Sequence, residues 1–270
     1  MTAELGRVLV AMPTYQERES LERVVRRLRA AVPAADVLIV DDASPDGTGQ
    51  IAARLAAADG QVRVLHRPTK AGLGVAYLAA FGWALEHGYD VVVEMDADGS
   101  HLPEELPRLL SALRGADMVL GSRWVPGGEI RNWPWSRRVL SRGGNGYVRM
   151  MLGLHLRDAT SGFRAIRGDV LAAVPFAEVA PQGYCFQIDL ARRVRQRSGE
   201  IVEVPITFVE RELGTSKMSQ AIVVEALLRV TGWGIQARLG PLRRLRLRRS
   251  SSGAAGAAGS SARPAPLRDR

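Results

Sequence analysis

Short apolar runs alternate with segments of helical period through the first half of the chain. Arg7–Met12 (RVLVAM), Val37–Val40 (VLIV), Val62–His66, Val91–Met95 (VVVEM) and Met118–Leu120 read as strands. Between the first two, Leu21, Val24, Val25, Leu28 and Ala31 recur at the spacing that puts them on one side of a helix over Glu17–Ala31. Thr48–Ala58, Gly72–His87 and Pro103–Leu113 read as further helices. The last opens on Pro103 beside Glu104 and Glu105, residues favoured in a first turn and at the positive end of a helix dipole. Continuous Val/Ile/Leu strands separated by helices predict an α/β fold: a mostly parallel central sheet with helices on both faces. Beyond Leu120 the alternation is less regular. Trp133–Leu152 is a basic, aromatic segment, Ile201–Val209 reads as a strand and Gln220–Gln236 as a helix. From Leu247 onward a Ser/Gly/Ala/Pro/Arg composition predicts disorder.

Composition narrows the chemistry. The 270 residues suit one domain with appendages, and 46% hydrophobic content supports a sizeable core. One cysteine, Cys185, excludes an intrachain disulfide and a multi-Cys zinc site, and the four histidines form no HxxxH pair. The net charge is +9, but nine Arg against one Asp after Ala237 supply +8 of it, leaving +1 for residues 1–237. A nucleic-acid binder shows its basic patch on the folded body, so no nucleic-acid partner is expected. Of the 37 basic residues only Lys70 and Lys217 are lysines. The N-terminus lacks the regions of a signal peptide, and no run of about 18 uncharged apolar residues occurs, so a cytoplasmic location is expected.

Ligands of parallel α/β sheets bind outside the carboxyl ends of the strands. There the sequence places Pro13-Thr14-Tyr15, Asp41-Asp42, Asp96-Ala97-Asp98 and Gly121-Ser122-Arg123. Alternating residues of an extended chain face one side, so Asp96 and Asp98 can share a ligand. Hard oxygens at this spacing suit Mg²⁺ or Mn²⁺ bridging phosphates, with Ser100 a further oxygen. Acidic pairs at strand ends also serve as caps and turns, and Ser44-Pro45-Asp46-Gly47 is itself a turn sequence.

In aggregate the motifs are specific. PTYQE (13–17), VDDASPDGT (40–48), KAGLG (70–74), MDAD (95–98), GSR (121–123) and SGFR (161–164) occur in the order seen in family 2 glycosyltransferases. ERELGTSKM (210–218) narrows the resemblance to the dolichol- and polyprenol-phosphate mannose synthases, over about residues 5–237. The resemblance implies a GT-A nucleotide-sugar fold and an inverting transfer of mannose from GDP-mannose to a polyprenyl (dolichyl-type) phosphate, with a divalent metal. It implies that Pro13, Tyr15, Glu17, Val40 and Asp42 hold the guanosine. Asp96, Ala97 and Asp98 would hold the diphosphate–metal unit and the sugar, with Asp98 and Ser100 as metal ligands. Arg123, Arg211 and Lys217 would face phosphates, and Asp98, Arg211 and Lys217 would carry the catalysis. Asp158 is a candidate for sugar hydroxyls or a structural turn residue. Two positions depart from the pattern: Gln16 stands where many relatives have Asn, and Ser100 where archaeal members have Gln.

The expected organisation is a catalytic domain over 1–219, an amphipathic helix over 220–240 and a basic tail over 241–270. Trp133, Trp135, Val139, Leu140, Tyr147 and Met150 interleave with Arg137, Arg138, Arg142 and Arg149, a mixture suited to the membrane interface. Peripheral contact with the cytoplasmic membrane face is expected, and a separate integral-membrane partner is compatible with it. The rival readings are a polyprenyl-phosphate transferase using another nucleotide sugar such as UDP-glucose, an inactive scaffold subunit, and a dinucleotide-binding domain. Intact Asp96 and Asp98 weigh against the scaffold, and the absence of GxGxxG after the first strand weighs against the last.

Overall fold

The computed structural model describes residues 5–180, 183–197, 199–210 and 224–239. Seven strands form the central sheet: β1 (Val8–Thr14), β2 (Asp36–Asp41), β3 (Val62–His66), β4 (Val91–Glu94), β5 (Met118–Ser122), β7 (Arg164–Arg167) and β8 (Ile201–Pro205). Their order is β3-β2-β1-β4-β7-β5-β8, and β7 alone runs antiparallel to its neighbours. β6 (Glu129–Arg131) and β9 (Thr207–Val209) pair as a separate two-stranded ribbon.

The strands are apolar at consecutive positions because both faces of the sheet are covered. Val8, Val10, Met12, Val37, Ile39, Val91 and Val93 enter one core, with α1 (Leu21–Ala31) and α4 (Leu106–Ala112). Leu9, Ala11, Leu38, Val40 and Val92 enter the other, with α3 (Leu73–Glu86) and α7 (Gly183–Gln196). That division follows the two-residue period of an extended chain. α2 (Thr48–Ala58) and the short α6 (Gly168–Ala172) complete the layers.

Three local readings change. The basic, aromatic segment is an 18-residue helix, α5 (Trp135–Leu152), closed by Gly153 at φ +65°. The single strand expected over Ile201–Val209 is two, and Pro205 ends the first in the sheet before the chain crosses to β6. The Phe163-Arg164 motif leads into β7, which fills the slot between β4 and β5. Residues 224–239 form a final helix, α8, where Gln220–Gln236 is expected; 220–223 lie outside the described residues, as does the tail from 240.

α8 packs along α5. Tyr147 Oη and Thr231 Oγ1 lie 2.6 Å apart, and Arg238 Nη2 donates to the Met150 carbonyl at 3.1 Å. A Cβ at Gly234 would sit 2.7 Å from the Met151 carbonyl oxygen, so this approach needs glycine. Arg192 of α7 lies over the Trp233 ring at 5.0 Å and ties α8 to the body.

Candidate active site

The four polar clusters expected at the strand ends gather along one edge of the sheet, after β1, β2, β4 and β5. After β1 the chain turns sharply, with Gln16 at φ +58°, and the loop after β2 answers with Ala43 at φ +54°. The second loop holds the first. Ser44 Oγ accepts from the Gln16 N–H at 3.1 Å, Thr48 Oγ1 from the Glu17 N–H at 3.0 Å and Asp46 Oδ2 from the Arg18 N–H at 3.3 Å. The SPDGT turn is thus the scaffold that sets Tyr15 and Glu17 in place.

Asp42 is buried, with Oδ1 accepting from Arg67 Nη1 at 2.6 Å and Oδ2 from the Ala71 N–H at 3.2 Å. The neighbouring Lys70 places Nζ 3.7 Å from the centroid of the Tyr15 ring. Tyr15, Asp42, Arg67 and Lys70 therefore form one continuous wall, with Pro13 beside Tyr15 and Val40 buried in β2 beneath it. Arg67 was not marked in the sequence, because nothing local distinguishes it among the other arginines.

After β4, Asp96 and Asp98 are half-buried, Ala97 is buried and Gly99 turns at φ +81°. The Ser100 N–H donates to Asp98 Oδ1 at 2.9 Å, and Tyr77 Oη donates to Asp96 Oδ1 at 3.4 Å. His101 supports the turn from below: Nδ1 accepts from the Asp96 N–H at 3.1 Å while the ring stacks on Phe163 at 5.1 Å. Burial pushes the His101 imidazole down to about 4, so it is neutral at pH 7 and carries its proton on Nε2.

Metal fit rests on the donors present. Ser100 is 2% exposed, yet its Oγ has no hydrogen-bond partner among the described residues, and it stands two positions from the Asp98 carboxylate. Among the described residues no three His, Cys, Asp or Glu side chains gather to enclose an ion. One carboxylate and one hydroxyl suit a hard cation that takes its other ligands from substrate phosphate and water. The site fits Mg²⁺ or Mn²⁺ in that partial sense.

Beneath the Asp96 turn lies a buried polar pair. Glu94 accepts from Gln187 Nε2 at 2.7 Å and faces Arg164 across the β4–β7 register. Arg164, fully buried, donates to the Ser161, Gln187 and Ala159 carbonyls, each at 2.7 Å, and so fastens the SGFR turn to α7. Burial raises the Glu94 carboxyl from 4.5 to about 7, against the pull of Arg164. The folded state therefore holds a proton that the unfolded chain releases above about 4.5, and stability from this group drains as pH rises to about 7. Glu94→Gln should remove that dependence. Between pH 5 and pH 8 the wild type should lose on the order of 2 kcal/mol more than the variant in urea melts. Parallel losses in both proteins would contradict the raised value.

After β5, Arg123 is paired with a buried carboxylate. Its Nε and Nη2 close on Asp158 at 2.7 and 2.6 Å, and its own N–H donates to Asp158 Oδ2 at 3.0 Å. Asp158 is 0% exposed and its charge is balanced by this guanidinium. Glu203 fixes the same loop by accepting the Arg157 and Asp158 N–H groups at 2.7 and 2.8 Å.

Arg123 also lines one end of an apolar groove of about 440 Å³ between α5 and α8. Val139, Leu140, Val148, Leu227 and Val230 supply much of its wall, and Trp133 and Arg137 join Arg123 among its lining. Trp133 links this end to the Asp96 side: its ring meets Phe208 edge-on at 5.3 Å, and Phe208 meets His101 at 5.6 Å. Arg211 and Lys217 lie outside the described residues.

Similarity to known proteins follows the same geography. The sequence profile described as "Glycosyl transferase family 2" matches residues 9–174, from β1 through the SGFR turn. An undecaprenyl-phosphate mannosyltransferase of Micrococcus luteus is 60% identical, over 88% of this chain and 98% of its own. A polyprenol monophosphomannose synthase of Mycolicibacterium smegmatis is 56% identical, over 86% of this chain and 89% of its own. The crystal structure of glucosyl-3-phosphoglycerate synthase from Mycobacterium tuberculosis with Mn²⁺, uridine diphosphate and glucosyl-3-phosphoglycerate superposes with a TM-score of 0.61. It shares 22% identity and covers 87% of this chain and 80% of its own. The expected GT-A architecture is thereby shown, and with its strand-end acidic loops in family order the chain belongs to glycosyl transferase family 2.

Proposed function

We propose that this chain transfers mannose from GDP-mannose to a polyprenyl phosphate, giving a β-linked polyprenyl-phosphate mannose by inversion. The observation that carries the proposal is the apolar groove with arginines among its lining, connected through Trp133, Phe208 and His101 to the acidic turn. An apolar channel with a cationic end suits an isoprenoid chain bearing an anionic head. The relatives at 56–60% identity, an undecaprenyl-phosphate mannosyltransferase and a polyprenol monophosphomannose synthase by name, support the mannose and polyprenyl phosphate parts of the reading.

The acceptor is already an anion, so attack of a phosphate oxygen on C1 needs no strong general base. The C1–O bond to GDP breaks as the new C1–O bond forms on the opposite face, and the leaving electrons go to the diphosphate. The residues must hold two polyanions together and favour the charge on the leaving group. Tyr15, Glu17 and Asp42 would bind the guanosine, and Asp96 would orient the sugar and diphosphate, itself held by Tyr77 and His101. Asp98 and Ser100 would hold a divalent cation, which when bound neutralises diphosphate charge. Arg211 and Lys217 supply further cations for the phosphates in this proposal.

Access to a lipid fits the same surface. No described helix is long and apolar enough to cross a membrane. Trp135 is 76% exposed, and Val139, Leu140 and Met150 of α5 are exposed with Leu228 and Ile235 of α8. Exposed Arg138, Arg142 and Arg149 accompany them on α5, which suits peripheral docking at anionic headgroups. Assay with labelled GDP-mannose and UDP-glucose against a polyprenyl phosphate tests the function. Lipid-linked label should arise from GDP-mannose, and label from UDP-glucose alone would transfer the assignment to the rival sugar.

A further inference from the structure

One carboxylate sits where the proposed acceptor's phosphate would be held. Arg137, on the first turn of α5, lines the groove, and its Nη1 donates to Oε1 of Glu210. Its guanidinium lies 4.2 Å over the Trp133 ring, and Arg123 lies over the same ring at 5.2 Å. Two cations thus flank one indole. Arg123 is neutralised by Asp158 at 0% exposure, a pairing closed to solvent. Arg137 is neutralised by Glu210, whose side chain is 27% exposed.

The two pairs differ in how easily they exchange. The Asp158 carboxylate accepts from Arg123 three times and would leave a buried charge behind on moving. Glu210 accepts from Arg137 through one oxygen, from just past the end of β9, where its backbone N–H is held by the Arg131 carbonyl at 3.1 Å. Its side chain can turn to water while its backbone stays in place. Around it two donors remain without partners among the described residues: Arg137 Nε and the Trp133 indole Nε1, both inaccessible to solvent. A buried N–H without an acceptor costs free energy until one arrives. Arg137 Nε, Arg137 Nη1 and Trp133 Nε1 can serve an anion with several oxygens better than they serve the single Glu210 oxygen now present.

We propose that Glu210 is a displaceable counter-ion, an internal stand-in for the acceptor's phosphate that holds Arg137 until the lipid anion takes its place. The inference rests on the groove being the polyprenyl phosphate site. Carboxylate and phosphate compete for the same guanidinium and repel one another, so acceptor binding must expel Glu210. Charge at the end of the groove then stays balanced in both states, and Arg137 is never left without a counter-ion. Glu210 is a positioning residue in this scheme, since it touches neither donor nor acceptor in the loaded site.

Glu210→Gln removes the competing charge and Glu210→Asp keeps it. With farnesyl phosphate as acceptor and GDP-mannose saturating, Glu210→Gln should lower the acceptor KM by about fivefold, the ratio one partly exposed ion pair sets. The donor KM should be unchanged, and Glu210→Asp should stay near the wild-type acceptor KM. Calorimetric titration of farnesyl phosphate without donor should show the same tightening. An acceptor KM that is unchanged or raised in Glu210→Gln, in protein of wild-type melting temperature, overturns the proposal. If Glu210→Gln melts early, the titration decides: weaker or equal binding at a temperature where the variant is folded overturns it too. Wild-type protein inactive with every polyprenyl phosphate refutes the underlying functional reading instead.

Discussion

Asp98→Asn should lower mannose transfer by at least about a hundredfold, the scale on which losing one charge-stabilising group in an active site is felt. Asparagine preserves the size of the side chain and its carbonyl can still accept from the Ser100 N–H, so the turn after β4 should survive. What it loses is an anionic oxygen two positions from Ser100, whose Oγ has no partner among the described residues. The loss should be greatest at low metal and only partly relieved by raising Mg²⁺ or Mn²⁺, while the melting temperature stays within a degree or two of wild type. Near-normal transfer at low metal would remove Asp98 from the metal site.

Asp158→Ala should act through stability. Removing this carboxylate takes two charge-assisted bonds from the Arg123 guanidinium, in a residue 8% exposed, and leaves its Nη2 bond to Thr160 Oγ1 at 3.1 Å with no countercharge of equal reach. Breaking a buried ion pair from one side costs about 3–5 kcal/mol. For a domain of this size each kcal/mol moves the midpoint by about 2–4 °C, so the melting temperature should fall by about 10 °C. A melt within about 2 °C of wild type would mean that Arg123 finds another partner at no cost. Activity measured well below the midpoint separates this from chemistry, because Asp158 touches no substrate in the proposed mechanism.

The alternating strands and helices were legible because burial on both faces makes the strands apolar throughout, a pattern visible at every one of β1, β2 and β4. β7 was not. Its sequence is Arg-Ala-Ile-Arg, and a strand that carries a buried arginine looks like a surface segment until the Ser161 and Ala159 carbonyls of the preceding turn and the distant Gln187 carbonyl are seen to receive that charge. In sequence α5 is a basic, aromatic segment, since Gly143, Gly144 and Gly146 weaken the helical signal that its packing on α8 restores. In the site, the acidic turns announced themselves by following strands. Their supports did not. Arg67 reaches Asp42 across 25 positions, Gln187 reaches Glu94 across 93, and Glu210 reaches Arg137 across 73. Arg123 is legible by its motif, but its partner Asp158, 35 positions on, is known only once β5 and the loop before β7 are side by side.

The placement of Lys70 over Tyr15 makes the chain unusually easy to footprint. Only two lysines, Lys70 and Lys217, occur in 270 residues, so side-chain targets for an amine-selective reagent are few. Lys70 is exposed, and its ammonium rests on the ring that forms one wall of the proposed guanosine pocket. Acylation there would remove a positive charge from the face of an aromatic ring and add bulk beside Asp42. Mass spectrometry of a single tryptic region would then report occupancy of the proposed guanosine pocket in the unmutated protein, with no engineered label.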